Sequence, residues 1–354
     1  MDKAAPRDHR FLRRLHIPGL TRRDPRLFRA ASYVRARDLE SDSAPTRLMH
    51  LWSALKNERT LQLEDFACEI EIPRFIGSTT GRSGTTWLER IFRMSLRDQL
   101  ETIGERHLFW LHEFQTAPEK LLGNVPGPEF EAFRRTMLGY AFRTRIEEGR
   151  ITYGGLARLV PKRALVMALD ELEDRLAGAE DIAAAYRCLG DFHQWIFNYW
   201  TRCVSGRAKP WISKEPSYGL DCDRLFRLVP DARLLVTVRD GRDVALSFVA
   251  AGWAPDVLSA MDDWRQATET TLRRLEKLPR DQWLLVRYED LNARFDETME
   301  RILGFYGLAP PGTPVAPRPV SSRVAKWEKE LDRAQKSHYE RTCGELMERL
   351  GYPK

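Results

Sequence analysis

Short apolar runs, each followed by a helical pattern, recur along this chain. The predicted strands are Arg74–Ser78, Leu234–Val238 and Trp283–Arg287. The helices predicted after them are Thr85–Leu96, Arg242–Ala251 and Asp296–Tyr306, and a last helix is predicted at Leu331–Leu350. Strands that alternate with helices predict an α/β fold, in which a mostly parallel sheet is flanked by helices on both faces.

Two further regions carry mainly helical patterns. Residues 1–70 are predicted as an Arg-rich, mostly helical N-terminal extension, and residues 71–354 as the main domain. Within that domain, the stretch from about residue 106 to 210 is predicted as a helical insertion. Its apolar stripe at Phe192–Trp200 has helical spacing, which is typical of core packing.

Composition narrows the class of protein only a little. The chain has 354 residues and a formal net charge of +6, which suits a polyanionic ligand but is also compatible with an ordinary basic protein. Its five cysteines include no CxxC pair, so we interpret them as reduced side chains of a cytoplasmic protein. No apolar run is long enough for a signal peptide or a transmembrane segment.

The first motif that carries chemistry is Gly81–Trp87, at a predicted strand-to-helix turn. Gly81 and Gly84 let the backbone approach a ligand closely, and the N-terminus of the following helix favours an anion. The side chains that add hydrogen-bond donors and a cation are Ser83, Thr85, Thr86 and Arg82. Strand, small-residue loop and helix in this order predict a P-loop-like site for phosphate or sulfate.

The same loop departs from the loops that bind nucleoside triphosphates. Those loops need Gly-Lys-Ser/Thr, whereas Thr85 follows Gly84 here and the motif contains no Lys. The departure favours a donor that needs no metal ion. A kinase-like phosphotransferase stays open as an alternative, because Leu234–Val238 before Arg239 and Asp240 is similar to a magnesium-binding strand end.

Two motifs together resemble the sulfotransferases that use 3′-phosphoadenosine 5′-phosphosulfate. Arg82–Thr86 is similar to their first signature, in the form found in carbohydrate, tyrosylprotein and many bacterial members, which implies that it binds the 5′-phosphosulfate. Arg239–Ser247 is similar to their second signature, which implies that Arg239 and Ser247 bind the 3′-phosphate. Many members have Pro where this chain has Gly241, and we expect that change to loosen the turn without removing a ligand contact.

The resemblance also implies catalytic residues. In Trp211–Pro216, Lys214 is expected to approach the oxygen that bridges sulfur and phosphorus, where it would offset charge on the leaving group. Glu105 follows the second strand and is the favoured general base, although a structural salt bridge is an alternative role for it. His107 is the other candidate base, because the unperturbed pKa of histidine is about 6.5.

Two C-terminal segments also resemble this sulfotransferase family. Tyr288, in Arg287–Leu291, is expected either to contact the adenosine portion or to pack in the core. Arg323 or Lys326, in the segment Ser321–Trp327, is expected to add a second cation to the 3′-phosphate site. The helical insertion is expected to cover the nucleotide site and shape the acceptor pocket.

The sequence therefore predicts transfer of a sulfuryl group from 3′-phosphoadenosine 5′-phosphosulfate to a hydroxyl or amine, with adenosine 3′,5′-bisphosphate as product and no metal. The class of the acceptor and the oligomeric state, including a homo-oligomer, stay open. We expect no nucleic-acid partner. A non-catalytic protein that binds a nucleotide or another anion is the second alternative.

Overall fold

The computed structural model describes residues 72–105, 112–142, 144–147, 150–153, 160, 162–201, 210–311 and 324–352. The predicted N-terminal extension lies outside the described residues. The described residues between 112 and 201 group into one compact unit, and those in 72–105 and 210–352 group into another. We call the first the helical unit and the second the sheet unit.

Strands and helices are numbered in chain order within the described residues. The strands are β1 Arg74–Ser78, β2 Glu101–Ile103, β3 Thr144–Glu147, β4 Arg150–Tyr153, β5 Trp211–Lys214, β6 Arg233–Val238 and β7 Trp283–Arg287. The helices up to the middle of the chain are α1 Thr85–Ser95, α2 His112–Leu121, α3 Pro128–Phe142, α4 Lys162–Ala177, α5 Ile182–Tyr199, α6 Ser217–Leu220 and α7 Cys222–Leu228. The later helices are α8 Gly241–Ala250, α9 Val257–Leu275, α10 Tyr288–Ala293, α11 Phe295–Tyr306, α12 Trp327–Glu330 and α13 Arg333–Arg349.

The sheet unit is built on five strands in the order β2-β5-β1-β6-β7. Every neighbouring pair is parallel, which confirms the predicted α/β fold with a parallel sheet. From β1 the chain continues through α1 to β2 on one side, and from β6 it continues to β7 on the other side. In open sheets, ligands bind at the carboxyl ends of strands where the direction of winding changes, which here means the ends of β1 and β6.

Helices cover both faces of this sheet. Ile76 and Leu235 belong to a buried cluster that includes apolar side chains of α1 and α11. Phe75 points to the opposite face, because successive residues of a strand alternate, and its ring makes edge contacts with Trp211 and with Tyr218 of α6. Both surfaces of β1 are therefore buried, which holds the loop after it on a rigid base.

The elements predicted around the signature motifs agree with the structure to within two residues at each end. Besides the short helices α6, α7, α10 and α12, two larger features were not predicted. One is α9, which lies between the second signature and β7. The other is the antiparallel pair β3 and β4, which lies inside the region predicted as mainly helical. Each of these short strands contains a single Ile among mostly polar residues, so no alternating apolar pattern marked either of them within the helical patterns around it.

In the helical unit, α5 carries the predicted core stripe, and its side chains at Phe192 and Ile196 are buried. His193 lies on the same helix between the rings of Phe114 and Phe197, at centroid distances of 5.5 and 4.8 Å. Burial lowers the pKa of His193 to about 3, so the imidazole stays neutral in the folded chain. His193 is therefore a core residue of the helical unit.

Within the part of the chain that the structure describes, no helix combines the length and apolar character needed to cross a bilayer. The described cysteines are all free thiols: Cys222 and Cys343 are buried, and Cys188 is partly buried.

His193 makes a testable contribution to pH dependence. Its pKa is lower in the folded chain than in the unfolded chain, so the unfolded chain binds more protons between about pH 6.5 and pH 3. The free energy of unfolding should therefore fall as pH falls through this window, by at most about 1.4 kcal/mol per pH unit from this group. His193→Phe should make that slope shallower in urea titrations, whereas His338→Gln, on α13 of the sheet unit, serves as the matched control. An unchanged slope in the His193 variant would contradict the assignment.

Candidate functional site

The loop between β1 and α1 is held by its own hydroxyl groups. The Ser78 hydroxyl donates to the carbonyl of Thr80 at 2.6 Å, and the hydroxyls of Thr80 and Ser83 are 3.2 Å apart. Ser83 is buried inside the loop, so its side chain supports the loop and is not among the residues that line the cleft beside it. Arg82, in contrast, is exposed and has a positive φ of 64°.

Gly84 ends the loop and caps α1. Its φ of 90° lies in the left-handed region, and no side chain caps the helix. The first turn of α1 also contains no acidic residue, so its N–H groups and partial positive charge favour an anion. A Cβ atom at Gly84 would lie 2.4 Å from Cδ2 of Tyr288, which shows how closely this ring packs on the loop backbone.

The second strand end carries Arg239. Its Nη1 donates to the carbonyl of Arg82 at 3.3 Å, and its guanidinium lies 5.0 Å from the centroid of the Tyr288 ring. The indole Nε1 of Trp264 donates to the carbonyl of Arg239 at 3.1 Å, which fixes the backbone at the turn. Arg239, which follows β6, is thus hydrogen-bonded directly to the loop after β1.

The two predicted signatures also meet through Ser247. Nε of Arg82 donates to the Ser247 hydroxyl at 2.8 Å, across 165 positions of sequence. Arg82, Arg239 and Ser247 line one cleft of about 950 Å³ within the sheet unit. Other predicted site residues that line this cleft are Gly84, Thr85, Thr86, Glu105 and Tyr288. Ligand pockets of this size hold a nucleotide-sized molecule.

Glu105, which lines this cleft, forms an ion pair with Lys214, which is not itself among the lining residues. Nζ of Lys214 donates to Oε2 of Glu105 at 2.6 Å and to the Thr86 hydroxyl at 3.2 Å. The Lys214 side chain is 2% exposed and that of Glu105 is 26% exposed. The structure therefore brings the predicted cation and the predicted base together at the start of α1. Glu105 therefore also forms the salt bridge that was its alternative role, and its partner is Lys214, another predicted catalytic residue.

Gly241, at the position where many family members have Pro, is tightly packed. A Cβ atom there would lie 2.4 Å from Cδ2 of Trp264 and 2.5 Å from the hydroxyl of Tyr339. Side chains of α9 and α13 therefore close directly on this residue, and the looser turn expected from the replacement of Pro stays a prediction. Next to it, Arg242 forms a two-point ion pair with Asp240 and lies 3.5 Å from the centroid of the Trp327 ring.

Asp243 is a buried carboxylate that the sequence analysis did not single out. It lies 3.4 Å from Nη2 of Arg239 and accepts N–H bonds from Ala325 at 2.9 Å and Trp327 at 3.1 Å. Burial raises the pKa of Asp243, and the positive charge of Arg239 offsets part of that rise. The helical i,i+4 spacing gave no signal for this pair, because Arg239 precedes α8 and only Asp243 lies on the helix.

The remaining predicted site residues lie near the C-terminus or outside the described chain. Lys326 lines the cleft, and its Nζ is 3.9 Å from Glu330. His107 and Arg323 fall outside the described residues.

Comparison with known proteins gives one sequence match and several structural ones. Residues 73–311 match the profile of the sulfotransferase family. The sulfotransferase domain from the Synechococcus PCC 7002 olefin synthase is 19% identical over 81% of this chain and 98% of its own, with a TM-score of 0.49. Sulfotransferase STF9 from Mycobacterium avium is 17% identical over 93% of this chain and 97% of its own, with a TM-score of 0.42. No curated protein matches the chain.

Gly84 offers a sharp test of the packing at the cleft. Gly84→Ala introduces both a disfavoured φ and a clash with Tyr288, so the free energy of unfolding should fall by about 2–4 kcal/mol. Gly252→Ala is the matched control, since Gly252 has a φ of 70° but nothing within 4 Å of its added Cβ, and it should lose only about 1–2 kcal/mol. Equal losses in the two variants, measured by denaturant unfolding, would refute the close contact with Tyr288.

Proposed function

This chain belongs to the sulfotransferase family and is a sulfotransferase; from that premise we propose that it transfers a sulfuryl group from 3′-phosphoadenosine 5′-phosphosulfate to a hydroxyl or amine of its acceptor. The observation that carries this proposal is the meeting of Arg82, Arg239 and Ser247 in one cleft. Cations from two strand ends suit a nucleotide with anionic groups at two positions.

The residues of the cleft fit that donor chemically. The loop and the first turn of α1 present backbone N–H groups, hydroxyls and a guanidinium, with no acidic side chain in the first turn. We assign the 5′-phosphosulfate to Arg82–Thr86 and the 3′-phosphate to Arg239 and Ser247. Lys326, which lines the same cleft, is the proposed second cation for the 3′-phosphate. Tyr288 packs on both the loop and Arg239, which suits a contact with the adenosine portion.

The bound donor supplies a sulfuryl group attached to phosphate through a bridging oxygen. Lys214, held by Thr86 and Glu105 at the start of α1, is proposed to neutralise the charge that develops on that oxygen as its bond to sulfur breaks. Glu105 is proposed to take the proton from the acceptor as the new bond to sulfur forms on the opposite side. Protonation of Glu105 weakens its ion pair, which frees Lys214 to pair with the leaving phosphate. His107 stays the other candidate base.

Most of the rate enhancement then comes from position and preset charge, because the protein forms no covalent bond in this scheme.

The rival function is that of a kinase. It is disfavoured because no Lys follows Gly84, where loops for nucleoside triphosphates carry one. A protein that binds the nucleotide without transfer is the third reading. We also propose that no metal ion takes part.

The nucleotide that the chain binds best distinguishes these three functions. Thermal unfolding of the full chain with adenosine 3′,5′-bisphosphate should show stabilisation of about 2.7 kcal/mol at a hundredfold excess over Kd. ATP with magnesium should stabilise much less. A preference for ATP, or sulfuryl transfer that stops in a chelator, would contradict the proposal. Binding without transfer to a broad panel of hydroxyl and amine acceptors would favour the non-catalytic reading.

Lys214 tests the catalytic assignment. Lys214→Ala should lower turnover at saturating donor by roughly 10²–10³, the usual loss for one electrostatic contact to the transition state. Lys329→Ala is the control, since Lys329 is an exposed lysine of the same unit. Thermal unfolding of each variant without ligand shows whether the fold is intact. A near-normal turnover in a folded Lys214→Ala variant would remove this residue from the mechanism.

A further inference from the structure

The segment after the family match contributes to the cleft. The match ends at residue 311, yet Lys326 lines the cleft. On either side of Lys326, the N–H groups of Ala325 and Trp327 both donate to the carboxylate of Asp243, at 2.9 and 3.1 Å. A single side chain of α8 therefore holds the backbone from which Lys326 projects.

The backbone at this point needs such a partner. Ala325 has a φ of 57°, in the left-handed region that residues with a Cβ atom rarely adopt. Two hydrogen bonds to one buried carboxylate offset the cost of that conformation, because bonds to a charged acceptor are stronger than neutral ones. The side chain of Asp243 is completely buried, so water does not compete for these bonds.

Asp243 also faces Arg239. The distance between its carboxylate and Nη2 of Arg239 is 3.4 Å, and the Arg239 side chain is only 10% exposed. The same guanidinium reaches the carbonyl of Arg82. Asp243 thus connects two cations that come from segments 87 positions apart: Arg239 at the end of β6 and Lys326 before α12.

We propose that Asp243 is a positioning residue that sets Arg239 and Lys326 around one dianionic phosphate. The inference rests on the proposed function, in which that phosphate is the 3′-phosphate of the donor. Asp243 does not touch the ligand in this arrangement; it acts through the two cations. A phosphate monoester carries close to two negative charges near pH 7, so two cations at fixed positions suit it better than one.

A second set of contacts holds the segment around Lys326 in place. Arg242, the neighbour of Asp243 on α8, stacks on the Trp327 ring at 3.5 Å and lies 5.3 Å from the centroid of Tyr339. Loss of Asp243 alone should therefore leave α12 and α13 packed on the rest of the sheet unit. The expected defect is misplacement of Arg239 and Lys326, not unfolding.

A double-mutant cycle tests the role. Asp243→Asn keeps the shape and removes the charge, and it should weaken binding of adenosine 3′,5′-bisphosphate roughly tenfold by calorimetry. In an Arg239→Gln background the same change should cost clearly less, about threefold, because Arg239 is one of the two cations through which Asp243 acts and only Lys326 remains. Asp256→Asn is the matched control, since Asp256 is an exposed carboxylate that caps the next helix, and it should leave the affinity unchanged.

The outcomes separate the inference from the proposed function. An equal loss in both backgrounds would show that Asp243 serves the fold in general and would overturn the inference, as would an unchanged affinity in the single variant. If Asp243→Asn does not fold, the coupling between Arg239→Gln and Lys326→Gln decides: less-than-additive losses support one shared phosphate, and additive losses overturn it. Absence of nucleotide binding by the wild-type chain would overturn the inference and the proposed function together.

Discussion

The parallel pairing of β1 and β6 is the constraint on which the cleft depends. Ser78 and Thr237 are partners in register, and the N–H of Thr79 continues the ladder to the carbonyl of Thr237 at 3.0 Å. The chain therefore leaves both strands at the same level of the sheet. At that level, the side chain of Arg239 is long enough to reach the carbonyl of Arg82. A shift of one residue in this register would turn the side chains of β6 to the other face of the sheet.

The cations that line the cleft or lie beside it are held by partners before any ligand binds. Arg239 faces Asp243, Lys214 pairs with Glu105, and Arg82 donates to Ser247. Burying a cation without such a partner is costly. The partners offset this cost and keep the positive groups directed to defined positions, so an incoming anion meets groups that need little rearrangement.

Large aromatic side chains packed on glycine backbone give the site its rigidity. Tyr288 closes on Gly84, and Trp264 closes on Gly241, each at distances that leave no room for a Cβ atom. The C-terminal segment joins the same framework: Tyr352 donates to Glu289 at 2.7 Å, and Glu289 accepts the N–H of Asp240 at 3.0 Å. The turn after β6 is therefore supported from α9, from α13 and from the last described residues.

The sequence by itself determined the local units and the chemistry that they carry. The loop Gly81–Trp87 and the segment Arg239–Ser247 have recognisable spacing because each is a strand end joined to a helix start, and such units depend on neighbours within about ten positions. Only the tertiary structure decided which distant residues meet. Lys214 pairs with Glu105 across 109 positions of sequence, and Asp243 accepts a hydrogen bond from Ala325 across 82. These partners follow from strand order and helix packing, which depend on the whole buried core and leave no short-range pattern in the chain.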